Sequence, residues 1–213
     1  MQKSKLHPRR PKFQLSAIAR LELRTRIGGS LAEADPSGDW AAVLMTLQTD
    51  VRCLGPKGER TVPLANFIKD AYTTELAHDE LVSEVIVRIP AKNSGGAYLA
   101  FKRSAPVYPT ASAAVQLTMD GDTCRDVAIV LGCVGLTPIK VKEAEPMLRG
   151  VQINDKAISA AVESAHAAAD PQSDMRGSAE YKRTLVGALV KRAIEIAVRR
   201  ARGEQVEVSH IYA

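Results

Sequence analysis

The residues with the clearest chemical potential form the run Ile27-Gly28-Gly29-Ser30-Leu31-Ala32-Glu33-Ala34-Asp35-Pro36, followed shortly by Asp39. Two adjacent glycines let the backbone turn back on itself. They also leave N–H groups open to a ligand with no Cβ in the way, which is how glycine loops hold phosphates. The same pair serves ordinary turns, so the rest of the chain has to decide between the two uses.

Two later stretches carry a similar double reading. Lys102 and Tyr108 lie in Phe101-Lys102-Arg103-Ser104-Ala105-Pro106-Val107-Tyr108-Pro109. A lysine at a strand end serves either as a surface charge or as a cation near a flavin or phosphate, with the tyrosine ring against a planar group. Asp174-Met175-Arg176-Gly177-Ser178-Ala179-Glu180-Tyr181 reads either as a loop with a helix cap or as part of a site.

Side-chain acid–base or nucleophilic catalysis finds little support. There is no GxSxG, no Walker loop, no GxGxxG and no cysteine–histidine pair in a suitable local context. Cys53, Cys124 and Cys133 form no CxxC and are odd in number, and His7, His78, His166 and His210 make no HExxH. A disulfide framework, structural zinc and an iron–sulfur cluster within the chain are therefore not expected, and each cysteine reads as a small buried apolar side chain. What remains is binding, or chemistry done by a cofactor.

Composition agrees with a soluble globular protein: 46% hydrophobic and 25% charged over 213 residues, enough for a real core. No window offers the roughly 18 apolar residues of a membrane span, and no apolar segment follows the N-terminal charges, so a cytoplasmic location is expected. Of the net charge of +5, residues 1–26 contribute eight basic side chains against Glu22, or +7, which leaves −2 for the rest. This basic arm could meet nucleic acid or an acidic surface. No aromatic residues alternate with its charges for base stacking, so it reads as a solvated tail and nucleic acid is not expected as a partner.

The positioning elements follow from periodicity. No element is assigned through about residue 20. Asp39 is placed to cap a short helix through Leu47, and Asp50–Leu54 with Arg60–Val62 flank a hairpin signal at Gly55-Pro56-Lys57-Gly58. Leu64–Asp70 reads as a short helix and Glu84–Ile89 as a strand. Asn93-Ser94-Gly95-Gly96 is the candidate domain boundary. Beyond it Ala97–Arg103, Ala111–Met119 and Asp126–Val134 predict a three-stranded antiparallel sheet. Its faces are set by Ala113, Val115, Leu117 and Met119, and by Val127, Ile129, Leu131 and Cys133, with a tight turn at Asp120-Gly121. Thr137-Pro138 predicts a helix start, interrupted at Pro146 and ended at Gly150. Helices capped by Asn154 (to Ala169) and by Ser178 (to Ala201) complete an α+β layer.

Together these pieces resemble the medium, flavin-binding subunit of the molybdenum hydroxylases, the carbon monoxide dehydrogenase and xanthine dehydrogenase family. The resemblance rests on the run from Ile27 to Pro36, on Tyr98-Leu99-Ala100-Phe101-Lys102-Arg103, on Asp126–Gly132, on Thr137-Pro138 and on Ser173–Arg183, in matching order from about residue 24 to 201. It implies α+β parts: a basic arm (1–23), the remainder of a flavin-binding (PCMH-type) subdomain (24–92), and a C-terminal domain of a three-stranded antiparallel sheet covered by helices (96–203).

The resemblance further implies FAD as cofactor, passing electrons from iron–sulfur centres on a partner to an acceptor. The expected partners are a molybdenum-cofactor large subunit and a [2Fe-2S] small subunit. The family's diphosphate and ribose positions fall on Gly28, Gly29, Ser30 and Asp39, with Glu33 lining the site. An apolar residue near the isoalloxazine maps to Val82, or less directly to Leu81. The lysine near the flavin maps to Lys102 and the aromatic residue beside the ring to Tyr108.

Arg26 stands where the family has threonine, unless a Gly-Thr pair is lost before Ile27. The family also has an N-terminal subdomain with a second glycine-rich loop, where only the basic arm stands here. The expectation is an N-terminally truncated subunit that binds FAD weakly or not at all when alone; the alternative is a non-catalytic remnant or assembly module that has lost FAD.

Overall fold

The computed structural model describes residues 27–103 and 107–207. The basic arm, with its expected lack of regular elements, and Arg26 lie outside the described residues.

The run from Ile27 is not a turn but a short helix, α1 (Ile27–Glu33), with both glycines in its first turn. A glycine inside a helix costs about 1 kcal/mol against alanine, so the pair needs a reason. At Gly28 the reason is space: a Cβ there would meet Val82 Cγ1 at 3.2 Å. The helix stops at Ala34, whose φ of +51° is left-handed. α2 (Trp40–Met45) follows, and Asp39 stands at its N-cap without using its side chain there. The capping role expected of Asp39 is thus corrected, because its carboxylate is taken by residues of a distant strand.

The hairpin forms as the Gly-Pro-Lys-Gly signal predicts, with β1 (Thr49–Gly55) and β2 (Gly58–Pro63) closed at Gly58, φ +110°. β5 (Leu81–Val87) pairs with β1 on its other side, giving the antiparallel order β2-β1-β5. The helix expected over Leu64–Asp70 is cut to one turn, α3 (Leu64–Phe67). The chain then extends into β3 (Ile68–Asp70), paired with β4 (Thr73–Thr74). Leu64 and Phe67 are buried and hold that turn against the core, while Lys69 and Asp70 are exposed.

The second half is built on β6 (Ser94–Phe101), β7 (Ala111–Asp120) and β8 (Thr123–Gly132), antiparallel neighbours turning at Gly121, φ +57°. Where Thr137-Pro138 predicts a helix, β9 (Ile139–Lys140) instead adds a short fourth strand beside β8. Val141, fully buried, donates its N–H to Ile129 O at 2.9 Å. Burial of that β-branched side chain and the open edge of β8 outweigh the proline signal. Helix forms only at α4 (Glu145–Leu148), which Pro146 starts rather than interrupts.

α5 (Asp155–Ala168) and α6 (Ala179–Ala201) begin at the expected caps: Asn154 accepts from Ala157 N–H and Ser178 from Tyr181 N–H. Both pack on the sheet face that carries Ala97, Leu99, Ala113, Val115, Ile129 and Leu131. The opposite face carries Tyr98, Ala114 and Val130 and is covered by the first half of the chain, Trp40, Val43 and Leu44 of α2 included.

Candidate functional site

The site lies where α2, packed against α1, starts beside the end of β6. Side chains alternate along a strand, so Tyr98 and Lys102, four apart, project to the same side of the sheet, away from α6. There they converge on Asp39. Tyr98 donates its hydroxyl to Asp39 Oδ1, and Lys102 Nζ is 3.2 Å from Oδ2. Both ends of the ion pair are sheltered, Lys102 at 16% and Asp39 at 11% side-chain exposure, so solvent screens it less than a surface pair. Burial first, and the Asp39 carboxylate second, hold the Tyr98 phenol well above its ordinary value. The tyrosine is therefore a hydrogen-bond donor at every working pH.

Below this trio, Ser112 of β7 lies 3.9 Å from the Cys133 sulfur. Gly132 makes that possible, since a Cβ there would fall 2.4 Å from Ser112 Oγ. Cys133 does not continue the face of Val127, Ile129 and Leu131. Its φ of +63° turns it out of the strand, and its sulfur comes to lie beside Ser112.

A second cluster borders the first. Arg176 Nη1 donates to Ser37 Oγ at 2.8 Å, and its guanidinium lies 5.9 Å from the Tyr108 ring centroid. Asp174 sets that loop. Its Oδ1 accepts from the Arg176 N–H at 2.8 Å, and its Oδ2 pairs with buried Lys182 at 2.8 Å. Burial, then the Asp35 and Glu33 carboxylates, raise the Tyr108 phenol. At Tyr72 the Asp35 charge comes first.

Of the residues singled out in the sequence, Gly28 meets Val82, while Asp39 meets Lys102. Glu33 and Tyr108 share the second cluster. Val82 is partly buried against Gly28, whereas Leu81 is 57% exposed, so Val82 is the one turned toward α1. Gly29 is exposed and a Cβ on it would meet nothing within 4 Å, leaving open space beside the first turn of α1. Sequence reasoning missed Tyr98, Ser37 and the bridging role of Arg176. The four-residue spacing of Tyr98 and Lys102 on one strand was the available signal for the first.

The arrangement offers helix-start amides, a sheltered cation paired with a carboxylate, and a half-exposed aromatic ring at 49%. These are the donor types a dinucleotide with a planar ring requires. The family described as FAD binding domain in molybdopterin dehydrogenase matches residues 4–92, and the CO dehydrogenase flavoprotein C-terminal domain matches residues 96–197. The carbon monoxide dehydrogenase medium chain of Afipia carboxidovorans is 37% identical over 83% of this chain and 61% of its own length. The nicotine 6-hydroxylase medium subunit of Paenarthrobacter nicotinovorans is 34% identical over 83% and 62%. Among solved structures, carbon monoxide dehydrogenase from Hydrogenophaga pseudoflava superposes with a TM-score of 0.83 at 34% identity, covering 85% of this chain and 63% of that one.

The fold, of mixed helices and antiparallel sheets, is that of an FAD-binding family. The chain belongs to the family of FAD-binding medium chains of carbon monoxide dehydrogenase and xanthine dehydrogenase. It spans 61% to 64% of the length of these relatives. Among the described residues no helix is long and apolar enough to cross a membrane.

Proposed function

We propose that the chain is the FAD-carrying, electron-transfer subunit of a cytoplasmic molybdenum hydroxylase-type oxidoreductase. A [2Fe-2S] small subunit and a molybdenum-cofactor large subunit are its partners, and the substrate is oxidised on the latter. The observation that supports this most strongly is the sheltered Asp39–Lys102 pair, which ties the N-cap of α2 to the end of β6. In this reading residues 24–92 bring the glycine helix and 96–203 bring the lysine and the tyrosine.

FAD, when bound, supplies the redox chemistry by taking up and releasing electrons. The chain's own residues do the holding. Gly28, Gly29 and Ser30 offer backbone N–H groups and a hydroxyl to the diphosphate and ribose, with no Cβ between ligand and backbone at the glycines. Glu33 lines the site, and Asp39 accepts from a ligand hydroxyl. Val82 keeps water from the ring, Lys102 holds positive charge beside it, and Tyr108 lies against its edge or face.

The test is titration of FAD into the purified chain, followed by quenching of flavin fluorescence and repeated with Gly28→Val. The larger side chain would press into Val82, which a Cβ alone already approaches at 3.2 Å. Saturable quenching that Gly28→Val weakens tenfold or so supports the reading, that factor being about 1.4 kcal/mol of lost binding. Equal quenching in both proteins overturns it, and so does the absence of quenching in both when the measurement is repeated with the partner subunits present. The last outcome is what a non-catalytic assembly module requires.

A further inference from the structure

Asp39 has an unusual allocation of its side chain. It stands at the N-cap of α2, where an aspartate ordinarily accepts from the helix's own N–H groups, and it makes no such bond. Both oxygens are committed instead to β6 and the residue after it: Oδ1 to the Tyr98 hydroxyl and Oδ2 to Lys102 Nζ. A carboxylate held through one oxygen still rotates about its Cβ–Cγ bond. Held through both, by a residue of β6 and the residue that follows the strand, it has a fixed plane. Tyr98 is itself fixed, since it packs against the core that includes Ala114 and Val130, and Ala114 is its cross-strand neighbour.

We propose that Tyr98 is a positioning residue of this site: its hydroxyl locks the Asp39 carboxylate so that the free oxygen holds the Lys102 ammonium in place for the cofactor. The proposal rests on the FAD reading for its functional consequence but not for its geometry. It separates the two members of the pair by role: Lys102 faces the cofactor, and Tyr98 sets where Lys102 stands without touching it. A tyrosine present only to fill the core would leave Lys102 indifferent to its hydroxyl.

Tyr98→Phe removes the hydroxyl and keeps the ring, and Asp39→Asn removes the charge and keeps the shape. The first readout needs no flavin. Amine-directed labelling of the purified chain, quantified by mass spectrometry, gives the rate at Lys102 relative to Lys140, whose side chain is 36% exposed and lies elsewhere. The second readout is the FAD dissociation constant, with thermal unfolding as the control for fold.

Tyr98→Phe is expected to raise the Lys102-to-Lys140 labelling ratio and to weaken FAD binding, each about fivefold, the scale of one lost hydrogen bond. Asp39→Asn does at least as much, and the double variant adds little to it, as coupled residues do. An unchanged labelling ratio in Tyr98→Phe, with the ratio raised in Asp39→Asn, overturns the proposal. So does unchanged FAD affinity in a Tyr98→Phe protein whose parent binds FAD. A parent that takes up no FAD at all counts against the FAD reading alone, and the labelling ratio then decides the role of Tyr98.

Discussion

Cys133 sits one step beyond β8 with a left-handed backbone, beside Ser112 and near Asp39. Burial first, and the Asp39 charge second, push its thiol up to about 12. Burial likewise raises Cys53, and carries Cys124 to about 11. Because the thiolate is the reactive form, all three thiols should react slowly with an alkylating reagent in the native protein at neutral pH and quickly after denaturation. The native rate should climb steadily with pH. A thiol count in buffer and in denaturant checks this, and one fast-reacting native cysteine would contradict it. The burial of Cys53 and Cys124 was legible in the sequence from residue type and the absence of ligand spacing. The face of Cys133 was not, because a non-glycine residue with positive φ carries no local signature; the tertiary fit of Gly132 to Ser112 imposes it. Asp39 shows the same limit. Its position before an apolar helix predicts a cap, and only the partner strand reveals where its oxygens go.

Between elements, β6 approaches α6 closely at Gly95. A Cβ on Gly95 would lie 2.0 Å from Ala197 O and 2.5 Å from Ala201 N. Both are backbone atoms of a helix that is itself held, since Arg200 Nη1 donates to Gly96 O at 2.7 Å. Gly95→Ala must therefore push strand and helix apart, at a cost of at least about 2–3 kcal/mol, the upper range for overpacking. Gly29→Ala, with open space around its site, should leave unfolding unchanged or slightly improved. Denaturant melts of the two variants compare these directly, and equal stability would show that the helix slides to accommodate the methyl. The contact also shows how the candidate boundary at Asn93-Ser94-Gly95-Gly96 is built: Gly95 and Gly96 lie within β6 rather than in a loop. The helix that demands Gly95 is about a hundred residues away, outside any sequence window. Where an element's pattern is long and its cap local, as in β7, β8, α5 and α6, the sequence was sufficient. Short pieces such as α3, β3 and β9 obey their tertiary neighbours instead.

At the scale of the whole chain, one sheet serves two cores. Its α5/α6 face carries the larger core, while Ala114 and Val130 on the reverse face belong to the core around Trp40, Leu44 and Phe67. The sequence held a sign of this. Ala111–Val115 and Val127–Leu131 are apolar at nearly every position, as strands covered on both faces are. Reading only the alternate residues took one face and missed the other. The consequence is mechanical coupling: the glycine helix and Asp39 rest, through α2, on the same sheet that carries Tyr98 and leads to Lys102. The chain has a single tryptophan, Trp40, buried at 6% exposure in the smaller core, so its fluorescence reports that core alone. Ile194→Ala removes a fully buried side chain from the larger core and should cost about 2–5 kcal/mol. If the two cores unfold as one, the Trp40 transition shifts by the same amount as the loss of helical circular dichroism, although residue 194 belongs to the other core. A Trp40 midpoint that stays put while the helical signal melts early would mean that the glycine helix and Asp39 are carried by an independently stable unit. The site would then have to assemble by docking rather than by folding.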